Sequence, residues 1–388
     1  MKKVLYFFPD NIGIQTAGNK TRAIHLLKYF NQKGYGVDFV SIKHEKIDKG
    51  TEKETIDFLK KDKLAANVFL LPRKPGKKNP LTYFFKYKIW DLLYYWLTYP
   101  SKSNIPTFLT VALKCSFERI LEANTYDYII ISYVQCADLI SNKKLLKNAK
   151  TIIDTHDFIT AQFKDKRSFN LGTTFEDEIK RLNLFDEVWA ISPEEQYVFN
   201  QFCKSPVRLI TIMMDEPALA PFNEKKYDII YVASDNVHNI KAANWFFENV
   251  YPLIPGVRIC VIGKINEYIS SNHDVERIPF VKHLEPYYGN SKIAICPMLS
   301  GTGVKIKVVE ALSFSLPVVC NFRGTDGLPN KINNGCLVTD DPVKFAQNIK
   351  TLLSDGSLYR QQSNYAKEMF SDNFKTDVVF GLLDEVFE

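Results

Sequence analysis

Two charged side chains, Lys305 and Glu310, stand just past a paired-glycine loop in the run SGTGVKIKVVEALSFSLPVVCNFRGTDGL, from Ser300 to Leu328. Gly301 and Gly303, with Thr302 between them, let backbone N–H groups converge, and a helix expected to start near Val304 aims the positive end of its dipole at the same point. Lys305 adds a full charge in the first turn, where acids are normally preferred, so a nearby anion is its natural partner. Glu310 lies roughly 140 degrees further round the helix and need not pair with Lys305. A cation for phosphate and a carboxylate that accepts from sugar hydroxyls describe a nucleotide-sugar site. The plain alternative is a surface helix after a flexible loop.

The elements that must hold such a site are legible on both sides of it. Ile293 to Pro297 reads as a strand leading into the anion loop, and Leu316 to Val319 begins the strand after it. Tyr227 to Ala233 and Arg258 to Gly263 are strand-like, and Ala242 to Tyr251 is helical. In the front half, Lys3 to Phe8 is a short buried strand. A helix with apolar residues at Ile24, Leu27 and Phe30 follows, closed by Gly34, and Val37 to Ser41 is the next strand, so a parallel strand-helix-strand unit is expected. Asp127 to Ser132 and Thr151 to Asp154 are further strands, the second running into DTHDF. Residues just past a strand's carboxyl end line the crevice of an open parallel sheet, which makes His156 a candidate proton shuttle or hydroxyl donor. A loop histidine capped by Asp154 or Asp157 is the alternative. Asp157 is also placed as an orienter of that imidazole or a contact for an acceptor hydroxyl. Glu176, Asp177 and Glu178 read as a helix N-terminus. Pro206, Pro217 and Pro221 interrupt the pattern between Lys204 and Lys226, where a domain boundary is expected.

The run Gly301, Thr302, Gly303, Lys305, Glu310, Ala311, Leu312 with Leu316, Pro317, Val318 and Val319 resembles the donor-site signature of GT-B glycosyltransferases, particularly the GT4-like group. The resemblance implies an α/β fold of two Rossmann-like domains whose parallel sheets face across a cleft. Residues 1–205 would bind acceptor, 206–370 would bind the nucleotide-sugar donor, and a helix in 371–388 would cross back to the first domain. It assigns Glu310 to the nucleotide ribose and Val304 with its neighbours to the donor loop. The family's other glutamate, eight positions earlier, falls on Thr302. The first loop of the donor domain, ASDNVHNIK from Ala233 to Lys241, offers Ser234 and Asn239 where many members carry Arg and Lys for the diphosphate, which puts more of the neutralisation on Lys305. Gly263 and Lys264 end their strand at the cleft edge, and Phe280 and Val281 stand where relatives hold the base. In the front loop PDNIGIQTAGNKTR, Gly18 and Asn19 are implied near the sugar diphosphate. Arg22 either reaches phosphate on the acceptor side or is a solvated helix residue. Many relatives also have a histidine matching His156, beside the transferred sugar. The implied reaction is retaining glycosyl transfer without a resident cofactor, the donor serving as co-substrate.

Charge distribution adds a further expectation. Residues 1–150 hold 26 Lys/Arg against 13 Asp/Glu and the remainder 24 against 31, for a net charge of +6 over 388 residues. The basic front half suits an anionic partner such as a membrane face or a phosphorylated acceptor, or is a solvated lysine-rich surface. LTYFFKYKIWDLLYYWLTY, Leu81 to Tyr99, holds nine aromatic residues and follows RKPGKK at 73–78. It reads as a helix that lies against anionic lipid, packs inside its domain or lines an acceptor groove. Nucleic acid is not expected, because stacking on bases calls for aromatics on an open sheet face. The seven cysteines show no C-x-x-C or Cys/His cluster, so reduced thiols and a cytoplasmic setting are expected, and the basic, aromatic front half adds a peripheral place at the inner membrane face. The absence of D-x-D argues against the metal-dependent type of glycosyltransferase. A nucleotide-sugar epimerase of similar shape, or a non-catalytic nucleotide-sugar binder, are the rival functions. A dinucleotide-dependent dehydrogenase is disfavoured by the missing G-x-G-x-x-G.

Overall fold

The computed structural model describes residues 1–13, 18–43, 49–74, 79–99, 103–217 and 225–388. Parts of three expectations fall outside these ranges: residues 14–17 of the front glycine loop, 75–78 of the basic run, and Pro221. The chain divides into two compact units, Met1–Ile191 with Glu195–Ile210, and Ser192–Glu194 with Thr211–Glu388.

The first unit is built on strands β1 (Lys3–Phe7), β2 (Gly36–Lys43), β3 (Asn67–Pro72), β4 (Tyr128–Ser132), β5 (Lys150–Asp154), β6 (Glu187–Ala190) and β7 (Val207–Leu209). They pair in the order β3-β2-β1-β4-β5-β6-β7, and each pairing is parallel. Apolar runs such as YIIIS suit strands covered on both faces, and Ile129, Ile130 and Ile131 are all buried. The second unit holds β8 (Tyr227–Val232), β9 (Ile259–Ile262), β10 (Glu276–Ile278), β11 (Ser291–Cys296), β12 (Val318–Cys320) and β13 (Cys336–Val338). Their order is β10-β9-β8-β11-β12-β13, again parallel throughout. In both sheets the strand order reverses once, between β1 and β4 and between β8 and β11. Such a reversal opens a crevice at the strands' carboxyl ends, because the connections on either side leave in opposite directions.

Several local expectations are corrected. The helix carrying Glu176, Asp177 and Glu178 is Leu171–Leu182, capped by Asn170, so these acids lie in its interior rather than at its start. Buried partners explain it: Arg181 donates to both carboxylate oxygens of Asp177, and Glu178 accepts from the amides of Ile159 and Thr160. Pro206 leads directly into β7, which donates no ladder bond at that position and completes the first sheet. The chain's end forms two helices, Gly356–Asn373 and Thr376–Phe387. The last is grouped with the second unit, where Met214 bridges to Lys375. All seven cysteines carry free thiols.

Candidate active site

The order reversal of the second sheet brings two loops together. The one after β8 runs through Ser234 to Asn239, and the one after β11 through Ser300 to Lys305. His238 Nδ1 lies 2.9 Å from Ser300 Oγ, and the ring sits against Gly301. Asn236 caps the Val237–Asn249 helix by accepting from the Asn239 amide, a helix start five residues earlier than the apolar pattern suggests. Asn239 then joins the loops: its Nδ2 donates to Ser234 Oγ at 3.0 Å and its Oδ1 accepts from Lys307 Nζ at 2.7 Å. Gly301 and Gly303 have φ of 98° and 74°, a region that any side chain would strain.

Lys305 is placed differently from the expectation. The helix is Ile306–Ser313, and Lys305 stands before it with φ −87° and ψ 89°, outside the first turn. The glycine turns fold its buried side chain back beneath the loop, where Nζ donates to the carbonyls of Gly303 at 2.7 Å and Thr302 at 3.3 Å. Asp326 Oδ2 lies 3.9 Å away. Burial lowers the Lys305 pKa, and Asp326 opposes that shift. Its ammonium therefore braces the loop from within. Thr302 is exposed at the tip.

The cation that sequence reasoning missed is Lys307. It and Glu310 keep part of their surface in solvent, but the surrounding loops strip most of their hydration, lowering the Lys307 pKa and raising Glu310 to about 7. Tyr288 Oη donates to Glu310 Oε2 at 3.1 Å. A signal was present: Lys307 and Glu310, three apart and so on one helical face, are the only charged residues in the helix IKVVEALS.

The other residues expected to bind donor lie at the same sheet edge. Gly263 directly follows β9 with φ 114°, and a Cβ there would lie 2.1 Å from the Ala233 carbonyl oxygen, so only glycine lets the chain leaving β8 and β9 approach so closely. Lys264 is exposed beside it. Phe280 follows β10 and is 80% exposed, with Val281 half-buried next in line. Val304 packs against Gly327 of the second glycine loop.

In the first unit the crevice between β1 and β4 holds a second constellation. His156, one residue beyond Thr155 at the end of β5, has φ 63°, and Tyr133, directly after β4, has φ 71°. Two non-glycine residues in the left-handed region at neighbouring strand ends mark backbone held against its preference by its surroundings. Their rings stack at 4.3 Å with 13° between planes, and Phe8 meets the imidazole edge-on at 5.8 Å. His156 Nε2 is 3.1 Å from Asp154 Oδ2. Asp154 thus stands directly beside the imidazole, and Asp157 lies half-buried in the following loop with its charge near Tyr133 and Glu195. Arg22 is not solvated: it is 1% exposed and donates to both oxygens of Asp154, with its Nη2 at 2.8 Å from Oδ1. Burial alone would raise the Asp154 pKa, but Arg22 and His156 outweigh it and hold the carboxyl well below the usual range. Gly18 opens the Gly18–Gln32 helix, and Asn19 Nδ2 donates to Tyr133 Oη at 2.6 Å, so Asn19, Tyr133, His156, Asp154 and Arg22 form one linked chain. His156 lies in the first unit and Lys305, Lys307 and Glu310 in the second.

Two buried acids near this constellation set a pH dependence. Burial raises Glu178 to about 7 and Glu195 to about 8, the latter helped by the negative charge of Asp157. Both values lie above the ordinary 4.5. The folded state thus holds more protons than the unfolded one in that window, and stability falls as pH rises through it. Asp154, shifted the other way, contributes a constant amount there. The melting temperature should decline between pH 5.5 and 8.5, and Glu178→Gln combined with Glu195→Gln should flatten the profile. Equal slopes for the two proteins would refute this assignment.

Two parallel doubly wound sheets, each with a polar constellation at its order reversal, define the GT-B architecture. Residues 226–355 match the family model described as Glycosyl transferases group 1. Sucrose-phosphate synthase from Thermosynechococcus elongatus superposes over 100% of this chain and 98% of its own, with a TM-score of 0.71 at 14% identity. HepE of Anabaena in complex with UDP-glucose gives a TM-score of 0.68 at 12% identity, covering 100% and 99%. A Klebsiella pneumoniae protein described as an uncharacterized 44.6 kDa protein in the cps region is 21% identical, over 97% of this chain and all of its own length. The structural likeness carries the GT-B fold, and the family match assigns residues 226–355 to the group 1 glycosyl transferases; the chain thus has the GT-B fold and carries a glycosyl transferase domain.

Proposed function

We propose that the protein transfers a sugar from a nucleotide-diphosphate donor to a hydroxyl of a growing cell-surface glycan or lipid-linked precursor, with retention of configuration and without a metal ion. The observation that carries this reading is the join between the two donor-side loops, where Lys307 is held on Asn239 beside the Gly301–Gly303 turn. The donor diphosphate sits over that turn, against loop amides and Lys307, while Lys305 keeps the loop in shape. Glu310 accepts from the ribose hydroxyls, and the base lies along Gly263, Lys264, Phe280 and Val281. Fixed positive charge aimed at the leaving diphosphate stabilises the transition state without reorganising as the reaction proceeds. The bond from the anomeric carbon to the phosphate oxygen breaks, the acceptor oxygen bonds that carbon, and the acceptor's proton passes to the departing phosphate.

The first unit supplies the acceptor side. His156, fixed by Asp154 and by stacking on Tyr133, donates to a hydroxyl of the bound acceptor, with Asn19 and Asp157 as polar neighbours. Arg22 acts through Asp154 as a positioning residue. The kinship with a protein of the cps region favours polysaccharide assembly at the cell surface, and the HepE complex favours UDP among donor nucleotides.

A panel of UDP, GDP, dTDP, ADP and CMP sugars, read first by thermal shift and then by turnover, tests the reading. One donor should raise the melting temperature, since a ligand at 100 times its Kd stabilises the native form by about 2.7 kcal/mol. Its consumption should depend on added acceptor. Consumption without acceptor would replace transfer with epimerisation or hydrolysis, and a shift without turnover would leave a binding protein.

A further inference from the structure

The segment Pro80–Thr98 is a continuous helix of 19 residues, α-helical over Pro80–Tyr83 and Ile89–Thr98 with a π-helical stretch at Phe84–Lys88. None of its residues is buried. Phe85 is 62% exposed, Trp90 57%, Leu92 55% and Trp96 74%. A soluble surface rarely shows so large a contiguous apolar patch without a partner to cover it. The expectation that these aromatics pack inside the first domain is therefore corrected.

Among the described residues, the helix is fastened along the side that carries Asp91 and Tyr94. Asp91 Oδ1 accepts from the Val111 amide at 2.8 Å, and the Tyr94 ring carries the Lys114 ammonium at 5.1 Å. Directly after the helix, the Tyr99 ring lies 4.5 Å beneath the Arg181 guanidinium. Ile89, Leu92 and Trp96 recur at spacings of three and four, which places them on one stripe on the side away from Asp91 and Tyr94, and the exposed Phe85 stands one turn before it in the π-helical stretch. Lys86 and Lys88 flank that stripe. Residues 73–99 contain six Lys/Arg and a single acid, Asp91, and that acid is the one turned inward onto Val111.

We infer that this helix is a docking surface for an anionic lipid bilayer, lying flat in the headgroup zone with Phe85 and the Ile89–Trp96 stripe inserted and the lysines on lipid phosphates. Charge complementarity selects that occupant. An apolar stripe alone would fit a second copy of the chain, but two such faces would bring their lysines together. Tryptophan and tyrosine favour the headgroup boundary, and lysine stems reach along apolar surface to anionic heads. Among the described residues no helix is long and apolar enough to cross a membrane, and Lys86, Lys88 and Asp91 fall in the middle of this one. The inference deepens the proposed function, on which it rests for its purpose: it places the enzyme where a lipid-linked acceptor is found.

Co-sedimentation of the full chain with vesicles tests it, comparing pure phosphatidylcholine with a mixture containing phosphatidylglycerol. The protein should pellet with the anionic vesicles, less so at high salt. Phe85→Ser with Trp96→Ser, and separately Lys86→Glu with Lys88→Glu, should each weaken binding at least tenfold. Both pairs are exposed, so melting temperature and the thermal shift with nucleotide should match wild type. Sedimentation unchanged by vesicles, or by either double substitution, would overturn the inference. So would a concentration-dependent dimer that the Phe85→Ser/Trp96→Ser protein fails to form, with no vesicle binding, which would assign the face to a second copy. Loss of vesicle binding with nucleotide binding intact would remove the docking surface alone, and absence of any nucleotide response would remove the catalytic reading instead.

Discussion

Lys307→Ala is expected to lower kcat/KM for glycosyl transfer about 100- to 1,000-fold, the range seen when one fixed donor to a developing negative charge is removed, or about 2.7–4 kcal/mol of barrier. The ammonium is held on Asn239 Oδ1 at 2.7 Å in a desolvated setting, so its field is not diluted by water and its position needs no adjustment during the reaction. Lys307→Arg should recover only part of the loss, because a planar fork cannot reproduce a point charge on that carbonyl. Lys305→Ala should also cost at least tenfold, or about 1.4 kcal/mol. Its route differs, since Lys305 ties down the carbonyls of Thr302 and Gly303 and its removal loosens the loop. Steady-state kinetics with saturating acceptor separates the two: Lys307→Ala should lower kcat as well as raise the donor KM, and Lys305→Ala should act mainly on KM. Wild-type turnover in Lys307→Ala would remove it from the mechanism.

The largest loss of stability is expected from Asp154→Ala, about 3–5 kcal/mol, because it strips the carboxylate from a guanidinium that is almost wholly buried. Urea unfolding monitored by circular dichroism measures it. Replacing both partners, with Arg22→Met and Asp154→Leu, should restore much of that stability, since a buried ion pair can be exchanged for apolar residues of similar volume at little net cost. The same double variant should not regain activity, because His156 still lacks the carboxylate 3.1 Å from its Nε2. A double variant as unstable as Asp154→Ala would show that the pair is not the source of the effect, and one with full activity would show that Asp154 does not orient His156.

The donor-side loop was legible because glycine spacing, a helix and charged residues are all local features, and they lie within one short run of sequence. Both parallel sheets were likewise announced by short apolar strands with helices between them. What the sequence hid is what folding brings together across long separations. Asn239 and Lys307 are 68 positions apart, and Arg22 and Asp154 are 132 apart. Lys307 looked like one lysine among many until the loop after β8 was laid against it. A helix starting near Val304 would put Lys305 in its first turn, whereas the helix starts at Ile306 and the glycine turns fold the Lys305 side chain onto their own carbonyls. Tyr133 carried no signal at all: its role comes from a strand end beside β5 that stacks its ring on His156. The aromatic helix was visible as a helix, but which of its faces meets protein depended on Asp91 finding Val111.

The most direct test of the central claim is a calorimetric titration of the intact chain with free nucleoside diphosphates, carried out on wild type, Lys307→Ala and His156→Ala. One diphosphate should bind wild type, bind Lys307→Ala at least tenfold more weakly, a difference of about 1.4 kcal/mol, and bind His156→Ala with unchanged affinity. Failure of every diphosphate to bind, or equal affinity for wild type and Lys307→Ala, would contradict a donor site built at the order reversal of the second sheet.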